Sequence, residues 1–170
     1  GNAQTFKWAK QLSGTSSTAT YSVDVKDIIS RNGEVYVCGS FTGTVDFDMG
    51  TGVSNKTANG TDFFVARYDA DGGLTWITTS NLAGNEEMVK VNTGTNGSGA
   101  SNHLIGLIKV GTNGFRLAGF GYNDGIEDFT SSTYTTSAGN LFPTSFDNAN
   151  RFYYVVGAYQ NTLTVGSLSV

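Results

Sequence analysis

Residues 35–47 read Val35-Tyr36-Val37-Cys38-Gly39-Ser40-Phe41-Thr42-Gly43-Thr44-Val45-Asp46-Phe47: an apolar run, a glycine, an aromatic, a short polar turn and a second apolar run. The same order returns at 115–129, from Phe115-Arg116-Leu117-Ala118-Gly119-Phe120 to Ile126-Glu127-Asp128-Phe129. It returns again from 152, as Phe152-Tyr153-Tyr154-Val155-Val156-Gly157-Ala158-Tyr159 followed by Leu163-Thr164-Val165-Gly166. Gly39, Gly119 and Gly157 hold one place in the three copies. An internal repeat of this kind restricts architecture more tightly than any single residue does.

Outward from these copies, apolar residues alternate with a period of two and no helical period is sustained. The pattern predicts strands at 6–12, 21–30, 34–41, 43–47, 62–68, 74–79, 103–110, 115–120, 126–129, 145–146, 151–159 and 163–170. Residues 86–91 fit either a short strand or a helical turn, and 49–61 and 80–101 read as loops. Asn32-Gly33 is the pair that accepts positive φ in a tight hairpin, and Asp69-Ala70-Asp71-Gly72-Gly73 and Thr112-Asn113-Gly114 are further turn signals. Short, evenly spaced strands divided by such turns mark an all-β fold, as sandwich, barrel or propeller. No domain boundary falls inside, so 1–170 reads as one repeat domain.

The composition agrees. Only 14% of the 170 residues are charged and 23 are glycine, while 38% hydrophobic with 12% aromatic supplies a core. The formal net charge of −4 and the lack of a Lys/Arg cluster exclude phosphate-backbone binding as a main role, so no nucleic acid is expected. A single cysteine, Cys38, excludes an intramolecular disulfide and reads as a small buried hydrophobe in its apolar strand. No apolar run reaches the roughly 18–20 residues of a membrane-spanning helix. Asn2-Ala3-Gln4 fits the end of a secretory signal peptide or a plain polar lead-in.

Trp8-Ala9-Lys10-Gln11, then 33–47, then Thr61-Asp62-Phe63-Phe64-Val65-Ala66-Arg67-Tyr68-Asp69-Ala70-Asp71-Gly72-Gly73-Leu74-Thr75-Trp76 succeed one another in the chain. That succession resembles the SBBP-type β-propeller repeats of large secreted Bacteroidetes proteins. The resemblance is close over 21–80 and 152–167, looser over 102–129, and absent between 80 and 101. It implies an extracellular or cell-surface location, type IX secretion, and a piece of a longer repeat protein. It also favours the signal-peptide alternative. Closure of a propeller takes roughly 4–8 four-stranded blades, whereas the predicted strands supply two to three. The expected fold is therefore all-β with antiparallel repeat sheets forming an incomplete propeller, with a β-sandwich as the alternative.

Candidate chemistry is sparse. Asp46 and Asp48, and Asp69 and Asp71, place carboxylates two apart around turns, a spacing that calcium loops use and that metal-free turns use equally. His103 has no Gly-x-Ser-x-Gly elbow to organise a triad and reads as a strand-edge or loop residue. Glu86-Glu87 and Glu127-Asp128 are adjacent carboxylates, which a strand sends to opposite faces. Trp8 and Trp76 share a repeat position and are expected to pack one blade on the next, while Tyr122 and Tyr134 fall in loops where they could stack on sugars. These patterns predict a non-enzymatic scaffold or adhesion module that binds neighbouring subunits or repeats, self-associating through the strand edges at 6–12 and 163–170. A carbohydrate-binding module using loop aromatics is the alternative.

Overall fold

The computed structural model describes residues 5–14, 20–80, 82–94, 103–131, 133–135, 139–149 and 152–160. Asn2-Ala3-Gln4 and the strand expected at 163–170 lie outside them. Every regular element is a strand: β1 (Ser13–Gly14), β2 (Ser22–Arg31), β3 (Glu34–Thr42), β4 (Thr44–Asp46), β5 (Asn55–Thr57), β6 (Gly60–Tyr68), β7 (Leu74–Thr79), β8 (Gly84–Gly94), β9 (His103–Val110), β10 (Gly114–Gly121), β11 (Glu127–Thr130), β12 (Tyr134–Thr135), β13 (Leu141–Ala149) and β14 (Phe152–Tyr159). No helix among the described residues is long and apolar enough to cross a membrane.

The strands fall into three antiparallel units in chain order. The first runs β2-β3-β6-β7, the second β8-β9-β10-β11 with β12 also on β10, and the third is the β13-β14 hairpin. A small sheet, β1-β4-β5, stands beside the first unit. Strand β6 touches β8 in parallel at Gly60↔Gly84 and Thr61↔Asn85, which joins the first two units into one nine-stranded sheet. The fold is all-β and no sheet closes.

Alternation puts apolar side chains on both faces of each unit, and three buried clusters result. Tyr36, Cys38, Phe63 and Val65 of the first unit meet Met88, Val91, Leu104, Ile108, Ala118 and Phe120 of the second. Ile105, Leu107 and Leu117, on the far face of the second unit, meet Phe146, Tyr153 and Val155 of the third. The remaining face of the first unit buries Val37, Phe41, Phe64, Ala66 and Tyr68 beneath Val45 and Phe47 from the β4 segment. Phe47 lies 5.0 Å from Phe64 and edge-on to Phe41 at 5.2 Å, so the insertion β4-β5 serves as a lid over that end.

The repeated glycine has a physical cause. A Cβ on Gly39 would sit 2.0 Å from the backbone oxygen of Asp24, and one on Gly157 would sit 2.4 Å from that of Phe142. Each glycine faces a strand that bulges there, between Val25 and Asp27 in β2 and between Pro143 and Ser145 in β13. A bulge pushes one backbone toward its neighbour, and only a residue without a side chain admits it. Pro143 sits in the same irregularity, where a missing N–H does least harm. Gly119 differs, since its Cβ would strike the Phe129 ring rather than backbone.

Several boundaries differ from the sequence expectation. Residues 86–91 belong to the eleven-residue strand β8. The expected strand 6–12 forms no ladder among the described residues, and pairing begins at β1. The loop expected at 49–61 contains β5. The Asn32-Gly33 turn has the expected positive φ, 53° and 83°.

Candidate functional site

The two aspartate pairs are turn-formers. Asp46 Oδ1 accepts from the backbone N–H of Asp48 at 3.0 Å and of Ser54 at 2.8 Å, and Asp48 Oδ1 accepts from Gly50 N–H at 2.7 Å. Asp69 Oδ1 accepts from Asp71 N–H at 2.9 Å and Gly73 N–H at 2.8 Å, and these donors hold its carboxyl below the usual range. Asp71 reaches Lys7 at 3.5 Å. Asp46, Asp48 and Asp69 thus satisfy the backbone of their own loops. Among the described residues no three His, Cys, Asp or Glu side chains converge as a metal site would require.

The charged groups that do converge are Glu86 and Glu127, one from each carboxylate pair, gathered by an arginine that the sequence does not single out. Arg116 of β10 donates from Nε to Glu86 Oε1 of β8 at 3.4 Å and from Nη1 to Glu127 Oε1 of β11 at 2.7 Å and to Thr130 Oγ1 at 3.0 Å. Its guanidinium carbon stands 5.6 Å from the centre of the Phe63 ring on the first unit. Ser80, on the connection after β7, donates to the other Glu86 oxygen. Ser80, Glu86 and Arg116 are all buried, so the network ties the two units together in a low-dielectric setting. Adjacent carboxylates do part as expected: Glu87 goes to Lys109 at 3.2 Å, and Asp128 goes to His103 Nε2. His103 itself is buried at the start of β9 beside Phe129, not on a strand edge or loop. The signal in the sequence is Arg116 itself, an arginine inside the apolar run Phe115-Arg116-Leu117-Ala118, which can be buried there only with carboxylates around it.

Asp62 lies near the same network. One carboxylate oxygen accepts from Asn59 N–H at 3.1 Å and the other is buried without a partner. Burial first, and the Glu86 charge further, raise its pKa above the ordinary 3.8. The folded state then holds the proton to higher pH than the unfolded chain, so this group lowers stability as pH rises from about 4 through its folded value. Asp62→Asn should therefore raise the neutral-pH melting midpoint and flatten that decline, as thermal unfolding at stepped pH would register. An unchanged midpoint at every pH would count against the assignment.

The two tyrosines part company. Tyr122 is only 6% exposed: Arg31 lies 4.3 Å above its ring and Tyr36 is 5.8 Å away. No ring face is left for a sugar, which corrects its place as a loop ligand. Tyr134 pairs in β12 and packs at 5.1 Å on Phe115, half-buried. The Tyr122 carbonyl, in turn, accepts from Trp76 Nε1 at 2.9 Å and from Arg67 Nη1 at 2.9 Å. Arg67 also donates to Glu34 at 2.8 Å, and that bond, more than the charge alone, lowers the Glu34 pKa.

Trp8 repeats the geometry of Trp76 one unit earlier. Trp76, on the last strand of the first unit, donates to the turn between β10 and β11. Trp8 donates from Nε1 to Ala70 O at 3.2 Å, in the turn between β6 and β7. Beside it, Lys7, Trp8, Ile28, Gly33, Val35 and Ala70 line an open cleft of about 410 Å³. No protein-family model, no curated protein and no solved structure matches the chain.

Proposed function

We propose that the chain is a secreted or cell-surface β-repeat scaffold, without enzymatic activity, that binds neighbouring protein subunits or repeats. The observation that carries this reading is the pair Trp8 and Trp76, which make the same indole bond onto the first and the second unit in turn. Residues 5–12 thus lie on the first unit as β7 lies on the second, in the place of the last strand of a preceding unit. Side chains that could do chemistry are engaged in holding the sheets: Glu86 and Glu127 on Arg116, Asp128 on His103. The likeness of the Trp-to-Trp segment to SBBP-type repeats agrees with export to the cell surface.

The test is the state of the native protein in extracts of its source cells. It should run in an assembly larger than the free polypeptide and be digested by protease added to intact cells. Deleting residues 1–12 should release it from that assembly. A free, protease-protected native protein would sink the proposal.

A further inference from the structure

The geometry points to head-to-tail self-association, in which the outer face of the β13-β14 hairpin of one copy docks on the β2 margin of the first unit that the β4-β5 lid leaves uncovered in a second copy. This inference rests on the scaffold reading and names its partner.

The tail face carries large apolar residues where solvent would favour polar ones. Along the hairpin, one side packs Leu141, Phe146, Tyr153 and Val155 toward the second unit. The other side presents Phe142, Tyr154 at 58% exposure and Val156 at 64%, with Asp147 and Ser145 opposite the last two. A two-stranded ribbon with large apolar residues on both faces is built as an inner layer, since a sheet with one wet face alternates apolar with polar.

The head face is the counterpart. Val23, Val25 and Ile28 of β2 pair with Phe41, Gly39 and Val37, so all three point to the same side of the first unit. The β4-β5 lid covers that side only in part: Val25 remains 52% exposed and Ile28 60%. Ile28 and Val35 floor the cleft under Trp8.

The occupant is set by continuity with the stacking inside the molecule. Twice the chain buries the face of one unit against the next, and both times later units add to the side away from the start of the chain. The tail face is where a further unit would be added, and the head face is where a preceding one would lie, with Trp8 already set in the position of its last strand. One copy's tail laid on another's head extends the series with the same polarity. Such a contact is heterologous, each copy offering a different patch.

Sedimentation of the purified chain from micromolar to millimolar concentration tests this. The wild type should show concentration-dependent growth in mass. Ile28→Arg, which blocks the head, and Val156→Arg, which blocks the tail, should each weaken it at least about tenfold by burying an unpaired charge. Both positions are exposed, so melting midpoints should stay near wild type and certify folding. Mixed together, the two variants should form a one-to-one heterodimer and nothing larger, because one retains a working tail and the other a working head. A monomeric wild type, folded variants that still assemble, or a mixture that stays monomeric would each overturn the inference. Retention of the native protein in a larger assembly alongside a monomeric purified chain would leave the scaffold reading standing and remove this one.

Discussion

Arg116→Ala should lower the unfolding free energy by about 3–5 kcal/mol, measured by urea titration at neutral pH. The guanidinium is the shared partner of Glu86 and Glu127, and its removal strands the buried Glu86 carboxylate with only the Ser80 hydroxyl. The size of the loss reflects an uncompensated buried charge more than the worth of the pair itself. The double variant Arg116→Met with Glu86→Gln should accordingly recover much of it, since a neutral amide and an apolar chain need no counter-ion. Arg116→Lys should fall between, because one ammonium cannot reproduce two separately directed donors. A loss below about 1 kcal/mol for the alanine variant would place this group with ordinary surface pairs.

Gly39→Ala should cost about 3 kcal/mol, the upper range for inserting a methyl into a packed position. The obstacle is the Asp24 carbonyl on the neighbouring strand, so relief requires β2 and β3 to separate and the Val25–Asp27 bulge to be rebuilt. Gly119→Ala should cost less, because the Phe129 ring in its way can rotate aside. Equal losses at the two sites would mean that backbone approach is not what the glycine serves.

The repeat makes the strands and their hairpins legible, because alternation and turn residues are local signals. It does not reveal sheet order. Gly39 lies in the second strand of its four-stranded unit and Gly119 in the third, although their hairpins match in sequence. The difference lies in the segment after each hairpin. Strand β4 leaves the sheet to pair with β5 and β1, opening the edge of β3 to β6, whereas β11 folds straight back on β10. Pairing choices of this kind depend on residues far apart in sequence. The candidate site shows the same limit. Strand geometry alone sends Glu86 and Glu87 to opposite sides, but the meeting of Glu86 and Glu127 on Arg116 depends on which strands join β10 in its unit. Tyr122 escapes a sequence reading for a related reason: its turn is local, but the Arg31 and Tyr36 that cover it come from the first unit.

Among the described residues the first two units share one backbone ladder, two residue pairs long between β6 and β8, and this has a mechanical consequence. Nearly all ladder bonds close inside a unit, and what holds one unit to the next is side-chain packing, side-chain hydrogen bonds such as Ser80 to Glu86 and Lys90 to Asp27, and the indole clasp. Tension along the stacking direction would load those contacts alone and peel the units apart singly. Tension along the strands would shear whole ladders at once, with many hydrogen bonds resisting together. The chain is thus strong in one direction and compliant in the other, a property of stacked repeats whose cohesion is limited to nearest neighbours.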